Sequence, residues 1–75
     1  MITAYILIMA DSGMEKEVIE DLNELDEVEE ADLIYGEWDI ITKLQVPEVS
    51  MLGDFILQNI RGIQGVKKTS TLIVT

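Results

Sequence analysis

The chain has 75 residues, 48% of them hydrophobic, and its 15 acidic and five basic residues give a formal net charge of −10. This length allows one small domain, so we treat residues 1–75 as a single unit. The negative charge repels phosphate backbones, and direct binding to nucleic acid is therefore not expected. Without cysteine or histidine, the chain shows no disulfide framework, metal-ligand pattern or cofactor motif. No apolar run is long enough to span a membrane, and a cytoplasmic location is expected.

The first two elements differ in the period of their apolar residues. Residues 2–10, "ITAYILIMA", are β-branched and aliphatic on both faces, which predicts a strand covered on both sides. The next stretch, "DSGMEKEVIEDLNEL", carries apolar residues at helical spacing and predicts a helix from about Gly13 to Leu25. Ser12 and Glu15 match a capping box at its start.

The second half of the chain predicts two more strands, a helix and a last strand. Val28–Tyr35 and Trp38–Val46 alternate as strands, and Gly36-Glu37 between them fits a type II′ hairpin turn. A helix follows Pro47 and is ended by glycines, and its predicted apolar stripe consists of Val49, Leu52, Phe55, Ile56 and Ile60. The last strand is predicted over Val66–Val74.

The order βαββαβ predicts an α+β, ferredoxin-like fold, in which two helices cover one face of a four-stranded antiparallel sheet. Alternation assigns the two faces of that sheet. The predicted helix side comprises Ile2, Ala4, Ile6, Ile8, Trp38, Ile40, Thr42, Leu44, Ser70, Leu72 and Val74. The predicted uncovered side comprises Tyr5, Leu7, Met9, Asp39, Ile41, Thr69, Thr71 and Ile73. Because that side is half apolar, we expect the domain to dimerise through its sheets.

Asp39 is a carboxylate one step into an apolar run, and a buried carboxylate needs a partner. Two interpretations stay open. In the first, the side chain has a structural role: it accepts a hydrogen bond from the turn or forms an ion pair with another subunit. In the second, it binds the amino group of a small zwitterion. Arg61, Lys67 and Lys68 form the only basic cluster, for which ion pairing across an acidic oligomer is the expected role.

The segments "IYGEWDIITKLQV" and "GVKKTSTLIV" resemble the effector domain, or RAM domain, of the Lrp/AsnC regulators. The shared pattern is a glycine, two residues and an aspartate opening the third strand, then Gly-Val and spaced threonines in the last strand. The matching positions are Gly36, Asp39, Gly65, Val66, Thr69 and Thr71.

The resemblance implies sheet-to-sheet dimers that assemble further into an octamer or decamer, with an amino acid bound between dimers. The implied ligand-binding residues are Gly36, Trp38, Asp39, Thr69, Ser70 and Thr71, with Tyr35 and Glu37 as further candidates. No catalytic residue, metal ligand or cofactor is implied. The helix-turn-helix domain of the family regulators is not in this sequence, so the expected form is a stand-alone effector domain acting indirectly on transcription.

Two alternatives belong to other functional classes. One is an interaction protein that forms mixed oligomers with full-length, DNA-binding relatives. The other is a small cofactor-free enzyme of the dimeric ferredoxin-like class. Catalysis is not expected, because general acid–base chemistry usually needs a histidine or a carboxylate of raised pKa in a pocket. The chain has no histidine, and Asp39 has no evident partner in the sequence.

Overall fold

A computed structural model describes all 75 residues and shows one four-stranded antiparallel sheet with strand order β2-β3-β1-β4. No helix is of sufficient length and apolar character to cross a membrane. The predicted ferredoxin-like arrangement is confirmed. Its elements are β1 (Ile2–Ala10), α1 (Glu15–Asn23), β2 (Val28–Leu33), β3 (Ile40–Val46), α2 (Val49–Phe55), a π-helical segment (Ile56–Ile60) and β4 (Val66–Ile73).

The core lies between the helices and one face of β1 and β3. Every second residue is buried from Ala4 in β1 and from Ile40 in β3, and antiparallel register places Ala4 opposite Leu44 and Ile8 opposite Ile40 on the same side. Thr42 is the one buried polar residue, and its hydroxyl donates to the Glu30 carbonyl at 2.8 Å. The buried cluster consists of Ala4, Ile6, Ile8, Ala10, Val18, Leu22, Ile40, Leu44, Val46, Leu52, Ile56 and Ile60.

The face assignment of β4 was wrong. Thr69 and Thr71 pair with Ile8 and Ile6, so these two threonines share the helix side, together with Ile73. Ser70 pairs with Leu7 and therefore lies on the side without helices, as does Leu72. The register between β1 and β4 shifts between Met9 and Ala10, and a shift of one residue moves every following side chain to the opposite face.

The connection between β2 and β3 is longer than the predicted two-residue turn. The strands end at Leu33 and resume at Ile40, and the Ile34 N–H donates to the Asp39 carbonyl at 2.9 Å. This bond leaves four residues in the loop, and Trp38 and Asp39 are outside β3. Gly36 has φ of +133°, so the glycine is needed for a positive φ even though the turn is not type II′.

The start of α1 also differs from its prediction. The residue preceding the helix is Met14, and no side chain caps the helix, so the Ser12–Glu15 capping box does not form. The backbone turns instead through Gly13, with φ of +87°, and the Met14 N–H donates to the Asp11 carbonyl at 2.9 Å. The helix ends at Asn23 rather than Leu25.

The second helix widens over its last turn. The Arg61 N–H donates to the Ile56 carbonyl five residues earlier at 2.8 Å, which is the π-helical pattern. Leu52, Ile56 and Ile60 of the predicted apolar stripe are buried, whereas Val49 is exposed. The stripe prediction holds where the helix packs on the sheet.

The sheet face opposite the helices, called the open face below, has no cover within the chain. Its apolar centre is formed by Tyr5, Leu7, Met9 and Ile41 from β1 and β3, all half-buried, and by the more exposed Leu72 from β4. Thr3, Lys43 and Gln45 continue this face toward the other end of the strands, where the Gln45 amide donates to the Thr3 hydroxyl at 3.3 Å.

Candidate functional site

The Asp39 side chain ends the pairing between β1 and β3. Its carboxylate oxygen Oδ2 accepts a hydrogen bond from the Ala10 N–H at 2.9 Å. The Asp39 N–H donates to the Ile8 carbonyl at 3.0 Å, so the backbone of Asp39 and its side chain both bond to β1. Beyond the last backbone pair, Ile8 with Ile40, the carboxylate takes the place of a carbonyl acceptor. The carboxylate of Asp39 within the apolar run thus has a structural role, because it accepts the hydrogen bond of the Ala10 N–H.

One oxygen of Asp39 remains available for a ligand. Oδ1 accepts no hydrogen bond from the chain, and no buried side-chain oxygen lacks a partner, so this oxygen is at least partly exposed. Because the Ala10 bond and two backbone bonds fix the residue, the free oxygen has a set position. A fixed carboxylate oxygen is a suitable acceptor for an ammonium group.

A cleft of about 650 Å³ opens beside Asp39, between the start of α1 and the connection from β2 to β3. We call it the Asp39 cleft. It lies at one end of the sheet and not on the open face, which corrects the predicted placement of Asp39. Its walls combine charged and apolar side chains. The eight lining residues are Gly13, Glu15, Lys16, Leu33, Ile34, Tyr35, Gly36 and Asp39.

Trp38 lies outside the Asp39 cleft. The Lys68 ammonium is 5.8 Å from the centre of the Trp38 ring, at cation–π distance. Lys68 pairs with Met9 and so belongs to the open face, which indicates that Trp38 does not pack under the helices as predicted. The contact spans β1 and joins the hairpin to the start of β4.

The predicted ligand residues of β4 do not all point one way. Thr69 and Thr71 lie on the helix side and Ser70 on the open face, so the three side chains cannot contact the same small ligand within one chain. Thr69 and Asp39 flank Ile8 of β1 on opposite sides, two strand spacings or about 10 Å apart. The structure brings Gly36 and Asp39 together and leaves Trp38, Thr69, Ser70 and Thr71 apart from them.

The sequence interpretation missed five of the cleft residues: Gly13, Glu15, Lys16, Leu33 and Ile34. A usable signal was present in the element order. In a βαββαβ chain the end of β1, the start of α1 and the hairpin after β2 all lie at the same end of the sheet. The residues next to these three junctions are therefore neighbours of Asp39. No group of three or more His, Cys, Asp or Glu side chains converges to hold a metal ion.

Comparison with known proteins assigns the family. The sequence model of the Lrp/AsnC ligand binding domain matches residues 3–75 of the chain. The chain belongs to the Lrp/AsnC family. This membership identifies the chain as a regulatory effector domain. The resemblance to effector domains that the hairpin and the last strand indicated is confirmed.

Relatives of two lengths are similar to this Lrp/AsnC domain. An uncharacterized helix-turn-helix-type transcriptional regulator, PF0250 of Pyrococcus furiosus, is 35% identical over 74 residues, which cover 95% of this chain and 49% of the regulator. AsnC of E. coli has the same fold at a TM-score of 0.91 and 28% identity, over 97% of this chain and 50% of its own. The chain thus spans about half the length of the regulators it matches. The crystal structure of FFRP-DM1 matches along all of both chains, with a TM-score of 0.95 and 40% identity.

Proposed function

We propose that this Lrp/AsnC domain binds a small amino acid in the Asp39 cleft, as a homo-oligomer built from dimers. The free Asp39 oxygen at the edge of this cleft is the observation that carries the proposal. It provides a fixed acceptor for an α-ammonium group, in a domain whose family is defined by ligand binding.

The other cleft residues suit the remaining parts of an amino acid. Lys16 is the only cationic residue among them and provides a partner for an α-carboxylate. Leu33 and Ile34 provide apolar surface for a side chain. With Glu15 and Asp39 both present, the local charge favours neutral or basic amino acids over acidic ones.

The open face supports dimerisation, because its apolar centre is uncovered within the chain. Two copies packed sheet against sheet would bury Leu7, Ile41 and their neighbours in an aligned sandwich. The Asp39 cleft lies at the end of the sheet and stays accessible in such a dimer. It can therefore meet a neighbouring dimer in a larger assembly, such as an octamer or decamer.

A screen of the twenty amino acids at millimolar concentration tests the proposal. A zwitterion held by a few polar contacts is expected to bind at roughly −5 to −7 kcal/mol, a micromolar to millimolar Kd. At about 100 times Kd, the ligand adds about 2.7 kcal/mol to the free energy of unfolding, enough to raise Tm by on the order of 10 °C. Trp38 fluorescence and light scattering report any accompanying change in assembly. If no amino acid shifts Tm, fluorescence or mass, the proposal fails.

The substitution Asp39→Asn separates ligand binding from folding. The amide oxygen of asparagine still accepts the Ala10 N–H, so Tm without ligand is expected to change little. Loss of the negative charge removes a charged hydrogen bond to the ligand ammonium. We expect a Kd roughly 10- to 100-fold higher by titration calorimetry.

Asp32→Asn is the matched control for that change. Asp32 is exposed on β2 and does not line the Asp39 cleft, and its substitution alters the net charge by the same amount. Its Kd should match that of the unsubstituted chain. Equal weakening in both variants would show that Asp39 acts only through overall charge and contradict its role as an anchor.

We expect any effect on transcription to be indirect, through assemblies of this domain with itself or with longer family members. The full-length match to FFRP-DM1 and the half-length match to regulators such as PF0250 support this view. Co-purification with a longer relative from the same cell tests the mixed assembly. Its consistent absence would restrict the domain to self-assembly.

A further inference from the structure

Three of the five basic residues of the chain surround a second concavity, of about 300 Å³, at the start of β4. We call it the basic pocket. Its lining residues are Arg61, Val66, Lys67, Lys68 and Thr69. The basic pocket shares no lining residue with the Asp39 cleft. Amino-acid binding in the Asp39 cleft therefore does not explain the three cations of the basic pocket.

A local irregularity in β4 brings the two lysines to one pocket. Consecutive strand residues normally point to opposite faces, which would separate Lys67 from Lys68. In β4 the register shifts, so that Met9 pairs with Lys68 while Ala10 pairs with Val66, and Lys67 is the extra residue. A bulge of this kind redirects side chains. Arg61 reaches the same place from the end of the π-helical segment.

No carboxylate of the chain forms an ion pair with these cations. The chain has 15 acidic residues, yet its one ion pair joins Lys43 to Glu29 at 3.9 Å, outside the basic pocket. Lys68 is near the Trp38 ring instead. Three cations held around one concavity repel each other, and a bound anion would relieve that repulsion.

We propose that the basic pocket is an anion site for a small phosphate-type ligand. Arg61, Lys67 and Lys68 supply three positive charges, which match a dianion or polyanion better than a single carboxylate. Thr69 lines the pocket from the helix side of β4. Arginine and lysine are the usual residues for phosphate oxygens, the arginine fork by two parallel hydrogen bonds.

The overall charge of −10 does not prevent local anion binding. At physiological ionic strength the Debye length is about 8 Å, so distant exposed acids are largely screened while the three pocket cations act at contact. The concave shape selects a compact anion over the acidic surface of a second copy, because only side-chain tips of such a surface would fit inside. Exposed cations of this kind give a Kd on the order of 1 mM for inorganic phosphate.

Inorganic phosphate is the probe for the test. Amide chemical shifts of the ¹⁵N-labelled, full-length chain are followed during a phosphate titration at neutral pH, with sodium chloride adjusted to hold ionic strength constant. We expect saturating shifts at Val66, Lys67 and Thr69. Lys67→Gln should raise the Kd at least fivefold, and Arg61→Gln with Lys67→Gln should abolish saturation.

Two controls separate this site from the Asp39 cleft. Lys43→Gln removes a cation outside the basic pocket and should leave the phosphate Kd unchanged. Asp39→Asn should also leave it unchanged, so failure of amino-acid binding and failure of phosphate binding are told apart. Light scattering on the same samples reports whether copies of the chain associate.

Three results would overturn the proposal. One is a set of shifts that chloride reproduces at equal ionic strength. Another is a set of shifts located away from the basic pocket. The third is loss of self-association, rather than of phosphate binding, in Lys67→Gln, which would assign the pocket to the acidic surface of a second copy.

Discussion

Leu7→Glu is expected to convert the proposed sheet-to-sheet dimer into monomers with lower stability. Leu7 lies on the central strand β1, between Ile41 and Ser70, at the apolar centre of the open face. In a twofold-symmetric interface each substitution occurs twice. Each buried, unpaired carboxylate costs several kcal/mol, and two of them offset most of the roughly 8 kcal/mol that holds a micromolar dimer together.

Light scattering after size-exclusion chromatography measures this result. Leu57→Glu is the control, because Leu57 is exposed in the π-helical segment and does not belong to the sheet. We expect that variant to retain the mass of the unsubstituted chain. An unchanged mass for Leu7→Glu would show that the open face is not the dimer interface.

Gly65→Ala is expected to lower the free energy of unfolding by about 3 kcal/mol. Gly65 has φ of +99°, a conformation that costs a residue with a Cβ about 1–3 kcal/mol. A Cβ at this position would also lie 2.9 Å from the Met14 Cβ and 3.1 Å from Val18 Cγ2. Since Val18 is fully buried, α1 must shift to make room, and such overpacking costs a further amount of similar size.

Thermal or urea unfolding measures this effect, with Tm expected to fall by about 10–20 °C for a domain of this size. Gly53→Ala is the matched control. Gly53 lies in α2 without a positive φ, and a Cβ added there would meet no atom within 4 Å. Alanine at this position should therefore stabilise the helix by about 0.5–1 kcal/mol. Similar, small changes in both variants would contradict the close packing of Gly65 against α1.

The Gly65 contact also links the two candidate ligand sites. The Asp11 N–H donates to the Gly65 carbonyl at 2.7 Å, which ties the loop before α1 to the residue preceding β4. Gly13, two residues after Asp11, lines the Asp39 cleft, and Val66, the residue after Gly65, lines the basic pocket. Both sites therefore depend on the same junction at one end of the sheet.

Much of this protein was determined by its sequence alone. The change of period from β1 to α1, the glycines and Pro47 fixed the element order, because periodicity and backbone restrictions are local properties. Alternation also placed the inner faces of β1 and β3 correctly. From Ala4 in β1 and from Ile40 in β3, every second residue is buried, so only one register satisfies the core. The hairpin and last-strand motifs were enough to indicate the family.

The tertiary structure alone decided the faces of β4. Ser70, Leu72 and Val74 carry two aliphatic side chains, whereas Thr69, Thr71 and Ile73 carry one, so apolar content by itself favours the wrong face. β4 is an edge strand and its last residues are exposed, so the burial of apolar side chains specifies its register only weakly. The bulge at Lys67 determines which β4 side chains point to which face, and it arises from pairing with β1 rather than from a local preference of the sequence.

The composition of the site was likewise a tertiary result. Asp39 was found from the sequence because a carboxylate in an apolar run is conspicuous, but its Ala10 partner is 29 positions away. Glu15 and Lys16 line the cleft because antiparallel pairing places the end of β2 and the start of β3 beside the end of β1, where α1 begins. Local sequence determines which elements form, whereas contacts between residues distant in the chain determine which side chains meet.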